Sequence, residues 1–180
     1  MGGANTAYAI LALTAVASHA DTNPDKVPDD VWKWSLTWLL SNQRRDGSWG
    51  YSGRGATTTG SMTACGVAGL KSLRARVEST EKIDAAVRKG EAWLANRWSV
   101  KRNPDSSAWL FFYLDWLCRS LRDTPKLGDR DWYPEVLSTV LKAQQRNGSF
   151  SRASSTSPPN VATAFALEIL RSRPTELHSR

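Results

Sequence analysis

Small and apolar residues recur along the chain in one frame, Thr/Ser-Ala-x-x-apolar-x-x-Leu. It reads Thr6-Ala7-Tyr8-Ala9-Ile10-Leu11-Ala12-Leu13 near the start and Thr63-Ala64-Cys65-Gly66-Val67-Ala68-Gly69-Leu70 further on. It returns as Thr163-Ala164-Phe165-Ala166-Leu167-Glu168-Ile169-Leu170, with a looser copy from Ser107-Ala108-Trp109 to Leu114. Apolar positions three and four apart share one face of a helix. Between these copies, Leu36, Leu39, Leu40 and Gln43 keep helical spacing as well. The pattern predicts seven helices, at about 5–19, 29–43, 60–75, 81–97, 104–121, 131–145 and 160–172, and no strands. Residues 1–172 read as one all-α repeat domain, and 173–180 as a basic tail.

A second repeated element alternates with the first. Gln43-Arg44-Arg45-Asp46-Gly47-Ser48-Trp49 and Gln144-Gln145-Arg146-Asn147-Gly148-Ser149-Phe150 share the form Gln-x-x-Asp/Asn-Gly-Ser-aromatic. Lys89-Gly90-Glu91-Ala92-Trp93-Leu94 is the front half of such an element. Gly47 and Gly148 supply the positive φ that stops a helix. Trp49 and Phe150 are placed to pack back on the helix just left. Gln43 and Gln144 are expected to bond backbone groups at the next helix start. Asn103-Pro104-Asp105 reads as an N-cap with a first-turn Pro, Asp131 as the cap of the sixth helix, and Asp29-Asp30 as first-turn acids.

Composition sharpens this picture at three points. Nine Trp in 180 residues call for a ring-rich core or pocket. The net charge of +7, from 24 Lys and Arg against 17 Asp and Glu, lies largely in loops and tail and reads as a solvated basic surface. No aromatic-basic interleaving accompanies it, so nucleic acid is not an expected partner; contact with an anionic membrane surface is compatible with the charge. Cys65 and Cys118 lie in apolar helical stretches and read as buried free thiols. The apolar run from Ala7 to Ala20 has no positive n-region and shares the repeat frame, so it reads as a helix of the domain and the chain as cytoplasmic.

Trp38-Leu39-x-x-x-Gln43-x-x-x-Gly47-x-Trp49 and Lys89-Gly90-x-x-Trp93-Leu94 resemble the QW motif of squalene–hopene and oxidosqualene cyclases. The chain is thus similar to the terpenoid cyclase/protein prenyltransferase superfamily, and to bacterial proteins carrying prenyltransferase and squalene oxidase repeats, over roughly residues 4–172. The resemblance implies an α/α toroid of helical hairpins, with QW-bearing helices outside and the others lining a central cavity. Seven helices would make about half such a ring. The helices at 5–19 and 160–172 would then be apolar ends, so a homodimer or a partner chain completing the ring is expected.

The family's chemistry finds little purchase. Asp129-Arg130-Asp131 is the nearest approach to the cyclase acid motif, and its two Asp read as a loop charge and a helix cap. His19 and His178 stand at peripheral positions, so neither a zinc site nor any cofactor is expected. One inner helix differs from the others, carrying Trp109, Phe112, Tyr113 and Trp116 around Asp115. These rings are the candidate lining for an apolar or isoprenoid ligand. Asp115 is the candidate acid, if the chain has one. Three functions stand open: a non-catalytic module binding an apolar ligand or protein partner, an isoprenoid-processing enzyme, and a toroid of another kind, such as a carbohydrate-active one.

Overall fold

The structure is a computed structural model describing residues 2–19, 27–52, 55–151 and 157–172. The expected basic tail at 173–180, with His178, lies outside the described residues. Among the described residues there are seven helices and no strand: α1 (Gly3–Val16), α2 (Asp29–Asn42), α3 (Gly60–Leu73), α4 (Thr80–Asn96), α5 (Leu110–Ser120), α6 (Trp132–Leu141) and α7 (Pro159–Arg171). None is long and apolar enough to cross a membrane.

The odd-numbered helices pack in series, α1 on α3, α3 on α5 and α5 on α7, while α2 and α4 lie against α3 and α6 against α7. This is a two-layer, all-α repeat arrangement with α3 at its centre. Every residue of α3 from Gly60 to Leu70 is buried. Its small side chains make that possible. A Cβ added at Gly66 would stand 2.4 Å from the Trp49 ring, and one at Gly69 would stand 3.2 Å from Leu39.

The two repeated elements are joined by a bond that the sequence reading did not anticipate. Trp49 N–H donates to Thr63 Oγ1 at 3.3 Å, and Phe150 N–H donates to Thr163 Oγ1 at 2.9 Å. Each Thr is the first residue of the repeat frame, and each donates its own proton one turn back, to the carbonyls of Thr59 and Pro159. Gly47 and Gly148 do take positive φ, at 92° and 85°. Asp46 and Asn147 each accept from the Ser two residues on, through both its N–H and its hydroxyl. The Trp49 indole returns to the helix just left, donating to the Leu39 carbonyl at 2.9 Å.

The structure corrects several sequence expectations. Gln43 bonds the Gly47 carbonyl of its own turn and the Ala86 carbonyl of α4, not the start of the next helix. Gln144 likewise reaches back to the Gly148 carbonyl, at 3.4 Å. α5 begins at Leu110 rather than near 104, because Asp105 and Trp109 both adopt left-handed backbone that a helix cannot absorb. Asn103 therefore caps nothing in α5, and the Ser107-Ala108 copy of the frame is loop. Asp131 does precede α6, but its side chain makes no cap bond.

Candidate functional site

Two cavities lie along the odd-numbered helices, one at each end. The first, about 500 Å³, is lined by Ala4 and Tyr8 of α1, Ser61 and Met62 of α3, Phe112 of α5 and Phe165 of α7, with Tyr51, Thr59, Asn103, Ser106 and Trp109 from adjoining loops. The second, about 590 Å³, is lined by Leu11 of α1, by the last turns of α3, α5 and α7, including Lys71, Arg119, Glu168 and Arg171, and by Arg122 and Asp123 just beyond α5. Early residues meet at one end and late residues at the other, so these helices run parallel.

Rings dominate the first cavity. Trp109 meets Phe112 at 6.5 Å between centroids, Phe112 meets Phe165 at 5.5 Å, and Phe112 meets Trp116 at 6.3 Å. Trp116 in turn meets Tyr8 at 4.7 Å. All four pairs are edge-to-face, the arrangement that ring quadrupoles favour. The Tyr8–Trp116 contact joins α1 to α5, both of which pack on α3.

Of the four candidate ring residues, Trp109 and Phe112 line the cavity. Trp116 supports it from below, fully buried; its indole N–H lies by the Tyr8 hydroxyl without a well-formed hydrogen bond. Tyr113 is fully buried beside Gly60 with no hydrogen bond to its hydroxyl, and does not line the cavity. Tyr8 and Phe165 were missed. The signal was present: both occupy the third position of the repeat frame, as Trp109 does in the looser copy. The polar floor of Thr59, Ser61 and Asn103 was missed too, since it depends on a loop held against a helix start.

Asp115 is fully buried one turn below the rings. Arg119 Nε donates to both its oxygens, at 3.1 and 3.0 Å, and the guanidinium continues to Glu168 at 3.5 Å. Burial pushes the Asp115 carboxyl above its ordinary range, outweighing the hydrogen bond and charge of Arg119. Burial opposes the charge on Arg119, but the hydrogen bond and charge of Asp115 hold its pKa up. Burial likewise raises the thiols of Cys65 and Cys118, and both cysteines are free.

The second cavity is polar, and its principal charges are engaged within the fold. Lys71 Nζ bonds Glu91 at 2.9 Å, the Ser120 carbonyl at 2.7 Å and Thr124 Oγ1 at 2.9 Å. Arg119 is committed to Asp115 and Glu168.

The remaining expected motif residues are structural. Trp93 is buried under the Arg97 guanidinium, 4.9 Å from its ring centroid. Asp129 and Asp131 are both exposed and do not face either cavity. Among the described residues no three His, Cys, Asp or Glu gather as a metal site. No family model, curated protein or solved structure matches the chain.

Proposed function

We propose that this chain is a cyclase-type α/α-repeat module that binds an apolar, isoprenoid-class ligand without transforming it. The observation that carries the reading is the first cavity: about 500 Å³, with rings from α5, α7 and α1 around it and no charged side chain in its lining among the described residues. Apolar clefts of this size with a few fixed polar groups are the usual form of small-molecule sites. The parallel series α1, α3, α5, α7 supports an arc of a toroid, with its concave side as the ligand face. A second copy of the chain closing that arc is part of the proposal. Leu167 of α7 and Val16 of α1 lie exposed on the two end helices, where such a contact would form.

An isoprenoid-processing enzyme is the second reading, and Asp115 is the observation in its favour. A buried carboxyl with a raised pKa beside an aromatic cluster has the character of a general acid. Arg119 weighs against it, because its guanidinium favours the ionised carboxylate and so opposes the shift that burial produces.

The test is a titration of intrinsic tryptophan fluorescence with farnesol, followed by recovery of the ligand. Binding predicts saturable quenching, weakened at least several-fold by Phe165→Ala, and chemically unchanged farnesol after prolonged incubation. Absence of saturation would remove the proposal. A new product formed by the wild type and lost in Asp115→Asn would favour the enzyme reading.

A further inference from the structure

The floor of the ring-lined cavity has an uneven count of hydrogen-bond donors and acceptors. Thr59 and Ser61 stand side by side there, their hydroxyl oxygens 3.1 Å apart. Thr59 Oγ1 accepts from Met62 N–H at 3.2 Å, which caps α3. Ser61 Oγ accepts from Asn103 Nδ2 at 3.1 Å. That amide nitrogen also donates to the Ala108 carbonyl at 3.3 Å, while Asn103 Oδ1 accepts from Ser61 N–H at 2.9 Å. Asn103 is thereby fixed in one orientation with all its groups in use.

Two hydroxyls carry two protons. One makes the bond between Thr59 and Ser61. The other has no acceptor among the described residues, whichever of the two oxygens carries it. Ser61 and Asn103 are buried, at 4% and 3% exposure, and Thr59 is half-buried beside them, so this proton lies on the polar floor of the site whichever oxygen carries it. A ligand oxygen that replaces water at this donor keeps its hydrogen bond, whereas an apolar group seated there leaves the donor unanswered.

We infer that the cavity takes an uncharged hydrocarbon-chain ligand ending in a carbonyl oxygen, with that oxygen on the spare hydroxyl proton of the Thr59–Ser61 pair and the chain against Trp109, Phe112 and Phe165. This rests on the binding reading above and specifies the ligand's polar end. A carbonyl accepts and brings no donor of its own, which matches a floor offering one proton. An alcohol brings a second proton that must find a partner among the part-exposed hydroxyls of Ser106, Tyr8 and Tyr51, in competition with water. A phosphate brings charge into a lining with no cation among the described residues, and burying a charge without a partner is far more costly than burying a neutral oxygen. A pure hydrocarbon leaves the floor proton unanswered.

Four ligands on one farnesyl chain test the inference: the aldehyde, the alcohol, the hydrocarbon and the monophosphate, each titrated against the full chain by fluorescence quenching. The aldehyde should bind about five- to ten-fold tighter than the hydrocarbon, the contribution of one added hydrogen bond, and the monophosphate should bind weakest. The double variant Thr59→Val, Ser61→Ala should lower aldehyde affinity to that of the hydrocarbon. Retained hydrocarbon binding shows that the variant is folded, and the wild-type series decides the matter alone if it is not. Equal binding of aldehyde and hydrocarbon by the wild type, or tightest binding of the monophosphate, would overturn the carbonyl assignment and leave the apolar site standing. Failure of all four to bind would overturn both.

Discussion

Trp49 and Phe150 occupy the same place in the repeated turn, and the residues three positions beyond their Thr partners differ in step with them. Gly66 stands where Trp49 must fit, and Ala166 holds the equivalent place for the smaller Phe150. A methyl group at Gly66 would meet the indole at 2.4 Å. Gly66→Ala should therefore destabilise the fold by about 1–3 kcal/mol, as overpacking does. The same change made in a Trp49→Phe background should cost less, because the pair then copies Phe150 and Ala166. A double-mutant cycle read by urea midpoints checks this, and strict additivity would show that the two positions do not share space. Asp115 gives a second residue-scale prediction. Its carboxyl is held above the ordinary range by burial, so the folded chain binds that proton more tightly than the unfolded chain. Its contribution to stability is fully present below the unfolded value of about 3.9 and is lost as pH rises through the folded value. Wild type should lose stability relative to Asp115→Asn as pH increases from about 4. A relative gain over that range would mean that Arg119, not burial, sets the carboxyl's pKa.

At the level of elements, α5 is the odd member. Its N-cap residue, Trp109, has φ of 64° and makes no side-chain cap bond, while its ring meets Phe112 at the cavity edge. A bulky residue in left-handed backbone costs on the order of 1–2 kcal/mol, and such strain gathers at functional sites. Trp109→Gly should relieve it. Thermal stability should hold or rise while farnesol affinity falls, and loss of both together would mean that the ring serves the fold instead. This start of α5 also marks where the sequence stopped being readable. Six of the seven helices begin within two residues of their periodic pattern, because caps, Pro and apolar spacing are local signals. Ser107-Ala108-Trp109 carries the frame, yet Asn103 is held by Ser61 of α3 and Asp105 and Trp109 turn left-handed, features that the local pattern does not display. The candidate site was legible to the same degree. Trp109 and Phe112 stood out by composition, Tyr8 and Phe165 were missed although they share a frame position, and the Thr59–Ser61–Asn103 floor was marked by nothing in the linear pattern.

For the whole molecule, the end helices set the next question. If a second copy closes the arc, Leu167→Glu should convert a dimer to a monomer at micromolar concentration by light scattering, with the melting temperature of the monomer unit little changed, since Leu167 is exposed within one chain. A wild-type monomer would remove the dimer without touching the ring-lined cavity. The centre of the molecule has its own consequence. α3 contains Gly60, Gly66 and Gly69, along with Thr63 and Cys65, and each glycine disfavours an isolated helix by about 1 kcal/mol relative to alanine. The segment that α1, α2, α4 and α5 lean on is thus poorly able to hold its shape alone. Its order is lent by its neighbours, so the chain should resist being cut into smaller working pieces. In native-state hydrogen exchange, the amides of α3 should open only with global unfolding, as one cooperative unit with α1, α4 and α5.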